Sequence, residues 1–404
     1  MNIQCTRNVL ALIHSNVHSI THLQCAKGDR AKPLPSTFCG SDSNYVKTNR
    51  YHVYLIQNYT EHTFTVQDNG TYEMYFLYEA PLLRYVYIQH NLKVSLVHIE
   101  TCSLVRVPRT IRNVPNVRDL ILKWCRIRQL DLSDFVDLHS LYVLDLTGNQ
   151  ILSIVALPTG SAIPIHRLYL ANNTLHHLNV SVLGGLQELR CLVLESNRIE
   201  AVVTPVVLPK LEELSLRNNR LSALNCTDWY LPALKYFFCS NNRLASAPIE
   251  WQSMWRMLTL DLSFNRLHSF RMDDIYLTQL LALNLAANEL TDVVTTQRHL
   301  RVPLGRLQLA QNRLTELDIS RWGMPNLWEL NVNHNRLTEL GDVFVRFPSL
   351  GPMMILPNNP WSCEWLNRVH PTDLRRKNYG CLDTNDTCPV GRVKVLDGGW
   401  ICCW

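Results

Sequence analysis

Residues 211–221 read LEELSLRNNRL, residues 141–151 read LYVLDLTGNQI and residues 327–337 read LWELNVNHNRL. Aligned, the three give L-x-x-L-x-L-x-x-N-x-L, with valine or isoleucine for leucine at single places. Leucines two apart sit on one side of a short strand, and the residues between them on the other. Outward from these copies the asparagine recurs at Asn149, Asn173, Asn197, Asn219, Asn242, Asn265, Asn288, Asn312, Asn335 and Asn358, in steps of 22 to 24 residues. Two earlier copies carry Cys102 and Cys125 in its place. About twelve repeats therefore run from Val94 to Asn358.

A coil of this kind leaves its leucines half covered until the next coil stacks on it, so the core grows in one dimension. The asparagine amide follows the strand, where it can satisfy backbone groups that stacking would otherwise bury unpaired. The expected fold is an α/β leucine-rich repeat solenoid, a horseshoe with a parallel sheet on its concave face. At ~4.8 Å per strand, twelve coils span about 55–60 Å.

Both ends of such a stack need covers. Residues 39–93 read as a β-rich N-terminal cap: Tyr51–Ile56, Thr63–Gln67 and Thr71–Leu77 are β-branched and aromatic, and Asp68-Asn69-Gly70 signals a hairpin between the last two. Residues 1–38 are unassigned, an atypical signal segment or a misplaced start. Residues 359–404 read as a cysteine-rich C-terminal cap opening on Asn359-Pro360-Trp361-Ser362-Cys363.

The 404 residues are 47% apolar and 18% charged, with a formal charge of +5 that no basic block concentrates, which argues against a nucleic-acid partner. No run approaches the ~18–20 apolar residues of a membrane span. Thirteen cysteines and six N-x-[ST] sequons, at Asn58, Asn69, Asn172, Asn179, Asn225 and Asn385, point to a secreted, disulfide-bonded and glycosylated chain. Nucleophile-elbow, zinc-protease, P-loop and dinucleotide motifs are absent, so no catalytic residue is assigned and no cofactor or metal is expected. His14, His18, His22 and Cys25 have helical zinc-site spacing, yet read rather as part of a signal-like or disordered segment. Lys27-Gly28-Asp29 reads as a chance tripeptide.

A long leucine-rich array, an N-x-W-x-C-like cap entry, single cysteines and a terminal Cys402-Cys403 pair resemble the mosquito leucine-rich immune proteins over residues 94–404. Trp365 departs from that cap, standing where its second cysteine usually does. The resemblance implies a haemolymph protein that forms disulfide-linked pairs and carries a complement-like thioester protein. The chain stops one residue after Cys403 and has no heptad segment, as expected of a coil-less or truncated member. The rival readings are the ectodomain of a cell-surface receptor and an extracellular-matrix binder.

For the cysteines, Cys102 and Cys125 read as buried thiols in the ladder, with a bridge between them as the alternative. Cys239 falls at a core position, and Cys191 on the concave face as a free thiol. Cys363, Cys381, Cys388, Cys402 and Cys403 form two bridges within the cap with one sulfur left over. Cys402 and Cys403 take separate partners, and one of the two is expected to bridge to another chain. For the binding surface, the register turns Trp124, Arg167, Tyr169, Arg217, Tyr236 and Phe238 outward on the concave face as protein-contact residues. Later coils present Asn284, Ala286, Gln308, Ala310, Asn331 and Asn333, which shifts the expected contact to the first half.

Overall fold

The computed structural model describes residues 52–68, 72–203, 205–251, 254–276, 278–350, 353–369, 391–394 and 400–404. Two compact units divide them, one ending at Asn265 and the other beginning at Arg266.

In the first unit the parallel ladder comprises β1 (Val53–Gln57), β2 (Met74–Tyr78), β3 (Leu96–Glu100), β4 (Asp119–Lys123), β5 (Val143–Asp145), β6 (Arg167–Tyr169), β7 (Cys191–Val193), β8 (Glu213–Ser215), β9 (Tyr236–Phe238) and β10 (Thr259–Asp261). The second carries β11 (Ala282–Asn284), β12 (Arg306–Gln308), β13 (Glu329–Asn331) and β14 (Met353–Ile355). Register is kept from coil to coil: Leu144 pairs with Leu168, Leu168 with Leu192, and Leu192 with Leu214. These leucines are almost fully buried, each contributing about 2 kcal/mol of transfer free energy. This is a leucine-rich repeat solenoid of parallel coils. Its connections are short strands and 3-10 turns such as Leu132–Phe135 and Val180–Leu183, so the α part of the expected α/β class is small.

Asn173 shows what the ladder position does. Its Nδ2 donates to Leu146 O of the preceding coil at 3.0 Å and to its own Leu170 O at 3.1 Å, while its Oδ1 accepts from Ile151 N at 2.9 Å. Asn197, Asn219 and Asn242 repeat the pattern. The last rung requires a correction. Asn359, not Asn358, donates to Val332 O at 2.9 Å and Leu356 O at 3.1 Å and accepts from Leu337 N at 3.1 Å. Asn358 instead occupies the residue before the rung, which takes a left-handed φ in every coil: Trp124 at 51°, Gly148 at 75°, Asn172 at 53°, Asn358 at 59°. Asparagine is common there too, because its short side chain tolerates that region.

Cys102 and Cys125 are bonded to each other, with Cα atoms 4.4 Å apart, and are not free thiols. Adjacent rungs hold two cysteines at bridging distance, so a covalent bond replaces the amide link. Cys239 is buried in the core as a free thiol, raised well above its usual pKa by burial. Cys191 is not a free thiol either; it is disulfide-bonded and fully buried.

The N-terminal cap is not a hairpin. Thr63–Val66 pairs in parallel with Tyr85–Ile88, and β1 in parallel with β2, so this segment adds two coils to the twelve expected. Asn58 and Glu79 take the left-handed φ of those coils. The ladder position holds Tyr59 and Ala80, which hides the repeat from a search for asparagine.

At the other end α1 (Cys363–Arg368) is capped by Ser362 Oγ, which accepts from Trp365 N at 3.3 Å. Trp365 is buried, stacks 4.8 Å from Trp361 between ring centroids, and donates Nε1–H to Gly341 O at 3.1 Å. A tryptophan thus seals the last coil where the related cap carries a cysteine. β15 (Gly391–Lys394) and β16 (Trp400–Cys403) form an antiparallel pair, and Cys403 bonds to Cys363. A Cβ on Gly391 would lie 3.0 Å from Cys363 Sγ and 3.1 Å from Cys403 Sγ, so the bridge has room only beside glycine. Cys402 is disulfide-bonded as well. With both sulfurs engaged, neither is available for the expected inter-chain bridge. Cys381, Cys388 and Asn385 lie outside the described residues, as do the N-terminal histidine group, Lys27-Gly28-Asp29 and Asn69.

Candidate functional site

Every ladder strand turns alternate residues away from the leucine core. In the first unit these form a continuous polar and aromatic face. At its centre Arg217 places one guanidinium nitrogen 3.2 Å from Glu195 and another 3.6 Å from Asp261, with the guanidinium carbon 3.7 Å from the centre of the Phe238 ring. Ser215 donates its hydroxyl to Glu195 at 2.6 Å. Four successive coils are thereby tied through one arginine, a planar group suited to paired carboxylates and to stacking on a ring.

That network changes the reading of two anchors. Tyr236 and Phe238 face away from the core as expected but are 7% and 4% exposed, so they are not free contact residues. Phe238 lies under Arg217, and Tyr236 has Glu213 and Thr259 as its cross-strand neighbours. Arg167 and Tyr169 are half-buried, and burial pushes the Tyr169 hydroxyl up to about 12 against the opposing pull of Arg167. Trp124 is 50% exposed on a coil corner, its indole over Gly148, where a Cβ would come within 2.4 Å of the ring. In the second unit Asn284, Gln308 and Asn331 are half-buried, and Glu329 accepts from both Arg306 and Gln308.

A second cluster escaped the sequence reading because its coils lack the asparagine. Tyr78 Oη lies 3.4 Å from His98 Nδ1, and His98 Nε2 lies 3.3 Å from Glu100. Phe76 stacks beside Tyr78, and the Lys123–Asp145 ion pair closes the group at 2.7 Å. Burial holds the His98 imidazole below its ordinary pKa, so it is neutral at pH 7. Spacing could have found it: Tyr78, Glu100 and Lys123 recur 22 and 23 residues apart, the period of the coils.

The four sequons within the described residues, Asn58, Asn172, Asn179 and Asn225, are exposed. Asn179 and Asn225 each accept the hydroxyl of the sequon Ser or Thr at 2.6 Å. No group of three or more His, Cys, Asp or Glu side chains among the described residues is arranged to hold a metal. No helix among them is long and apolar enough to cross a membrane.

A leucine-rich repeat family model matches residues 164–221. Human podocan-like protein 1 is 28% identical over 296 residues, covering 64% of this chain and 51% of the relative. Bovine osteomodulin is 25% identical over 242 residues, 52% of this chain and 56% of its own length. The chain spans about half the length of these curated relatives. Among solved structures, the leucine-rich repeat domain of APL1 superposes with a TM-score of 0.61 at 18% identity, covering 86% of this chain and 88% of that one, a likeness of fold.

Proposed function

We propose that this leucine-rich repeat protein is a secreted, non-enzymatic, protein-binding scaffold of insect innate immunity, with a complement-like thioester protein as the partner its mosquito resemblance implies. The observation that carries the binding role is the face of β6–β10. It sets half-buried Arg167 and Tyr169 beside an Arg217–Glu195–Asp261 lattice, where fixed charges select a partner's register. Disulfide bonds and exposed sequons support secretion. The curated relatives favour one second reading, an extracellular-matrix binder, because podocan-like protein 1 and osteomodulin are extracellular leucine-rich repeat proteins.

The test uses the secreted chain immobilised and exposed to purified thioester protein. Arg167→Ala or Tyr169→Ala should weaken binding by more than ~1 kcal/mol, about fivefold or more. Asn284→Ala and Asn331→Ala should leave it within twofold. Equal losses at both sets would remove the first-half face from the proposal. Binding to matrix extracts with none to the thioester protein would favour the second reading.

A further inference from the structure

Solenoid stacking places together residues that lie 22 to 24 positions apart in sequence. On the edge just past the asparagine ladder, successive backbone bonds define one column. Arg126 N donates to Leu104 O, Gln150 N to Ile127 O, Thr174 N to Ile151 O, Arg198 N to Leu175 O, Arg220 N to Ile199 O and Arg243 N to Leu221 O, all at 2.8–3.1 Å. The arginines of this column are exposed, as are Arg106 and Arg128 beside it. Seven coils contribute four edge residues each, beginning at positions 103, 126, 150, 174, 198, 220 and 243. Those residues include six arginines, two histidines and a single acid, Glu200. Glu200 approaches Arg220 at 3.9 Å, their side chains 55% and 43% exposed, a pairing worth little in water.

We propose that this edge binds a linear sulfated polysaccharide. Like charges stacked at Arg106, Arg126 and Arg128, and again at Arg198, Arg220 and Arg243, repel one another, and a polyanion lying along the column relieves that repulsion at both groups. Six coil steps span about 29 Å, long enough for several sugar rings. Guanidinium groups fit sulfate oxygens with paired N–H donors, as they fit phosphate and carboxylate. Beside the column, Asn241 Nδ2 donates to Asn218 Oδ1 at 2.7 Å and Asn218 Nδ2 approaches Ser196 Oγ at 3.4 Å, a row of exposed amides suited to sugar hydroxyls. Nucleic acid is the poorer occupant, because no aromatic ring stands within the column, and the exposed rings of the row beside it, Trp124 and Phe264, lie six coil steps apart, too far to interleave the arginines as stacking platforms for bases.

The second unit supplies a built-in control. Arg266, Arg313 and Arg336 hold the corresponding place, but Glu289 holds it with Asp292 in the coil between the first two, Glu316 and Glu339 share the edges of Arg313 and Arg336, and Arg313 is paired to Glu289 at 2.9 Å.

The experiment measures binding of the secreted chain to immobilised heparin across a NaCl series. The parent should bind at 0.1 M ionic strength and weaken steeply as salt rises. The triple variant Arg198→Gln, Arg220→Gln, Arg243→Gln should lose about tenfold in affinity. The matched variant Arg266→Gln, Arg313→Gln, Arg336→Gln should stay within twofold, which separates the edge from net charge. Circular dichroism melting of both variants confirms that each is folded. Equal loss in the two variants, equal binding to de-sulfated heparin, or displacement by single-stranded DNA as readily as by heparan sulfate would each overturn the proposal.

Discussion

At the scale of single residues, neighbouring asparagines have unequal weight. Asn359→Ala would orphan Leu337 N–H, while Val332 O keeps the Asn335 amide and Leu356 O keeps the Trp361 indole N–H as donors. One buried group left unpaired costs about 1–3 kcal/mol, the loss that urea denaturation should show. Asn358→Gly should be within about 0.5 kcal/mol of the parent, because glycine accepts the left-handed φ of 59° without strain. The same contrast governs the aromatic face. Phe238→Ala should destabilise by about 3 kcal/mol through lost packing, whereas Tyr169→Ala, only half-buried, is the cleaner probe of binding. Tyr169 also has a pH signature. Its folded pKa of about 12 exceeds the unfolded value near 10, so the unfolded chain releases the proton first. Stability should fall as pH rises from about 10 to 12, and ultraviolet titration should show Tyr169 ionising late, beside Tyr75, Tyr78 and Tyr236, whose hydroxyl pKa values burial also raises. Tyr169→Phe should remove the share of both effects that belongs to this hydroxyl, one tyrosine fewer in the late titration.

At the scale of the coil, the Cys102–Cys125 bond stands where two asparagines would. It closes a loop of 23 residues, worth about 3 kcal/mol in the chain-entropy model. Cys102→Ser with Cys125→Ser should lower the melting temperature, and Cys102→Asn with Cys125→Asn should recover part of the loss by restoring amide links. A double asparagine variant no better than the serine one would mean that these rungs cannot seat the amide. The repeating coil was legible because each of its twelve copies carries the leucines and a rung residue. The first two coils were not, since Tyr59 and Ala80 carry no ladder amide and only parallel pairing betrays them. Outward positions could be assigned from register, but their exposure could not. Whether Phe238 lies open depends on where Arg217, one coil earlier, folds its long side chain. The Asn359 slip has a similar origin: two adjacent asparagines satisfy the spacing equally, and only the hydrogen bonds tell them apart.

At the scale of the whole molecule, the extracellular reading predicts glycan at Asn58, Asn172, Asn179 and Asn225, each exposed on a coil corner or connection. Chain secreted from insect cells should drop in mass on glycosidase treatment, and the Asn→Gln variants should each remove one step; an unchanged mass would remove a main support for secretion. The parallel ladder has a mechanical corollary. Each coil is held chiefly by the coil before and after it, so a chain pulled from its ends should peel in units rather than rupture at once. A released coil of about 23 residues yields roughly 75–80 Å of extended chain. A force–extension trace should therefore show evenly spaced steps, with a silent stretch wherever a disulfide closes a loop. The residues between Cys102 and Cys125 cannot lengthen while their bond holds, nor can those between Cys363 and Cys403. Adding a reductant should return the missing lengths to the trace, among them those closed by Cys102–Cys125 and Cys363–Cys403, which would make disulfides countable by force alone.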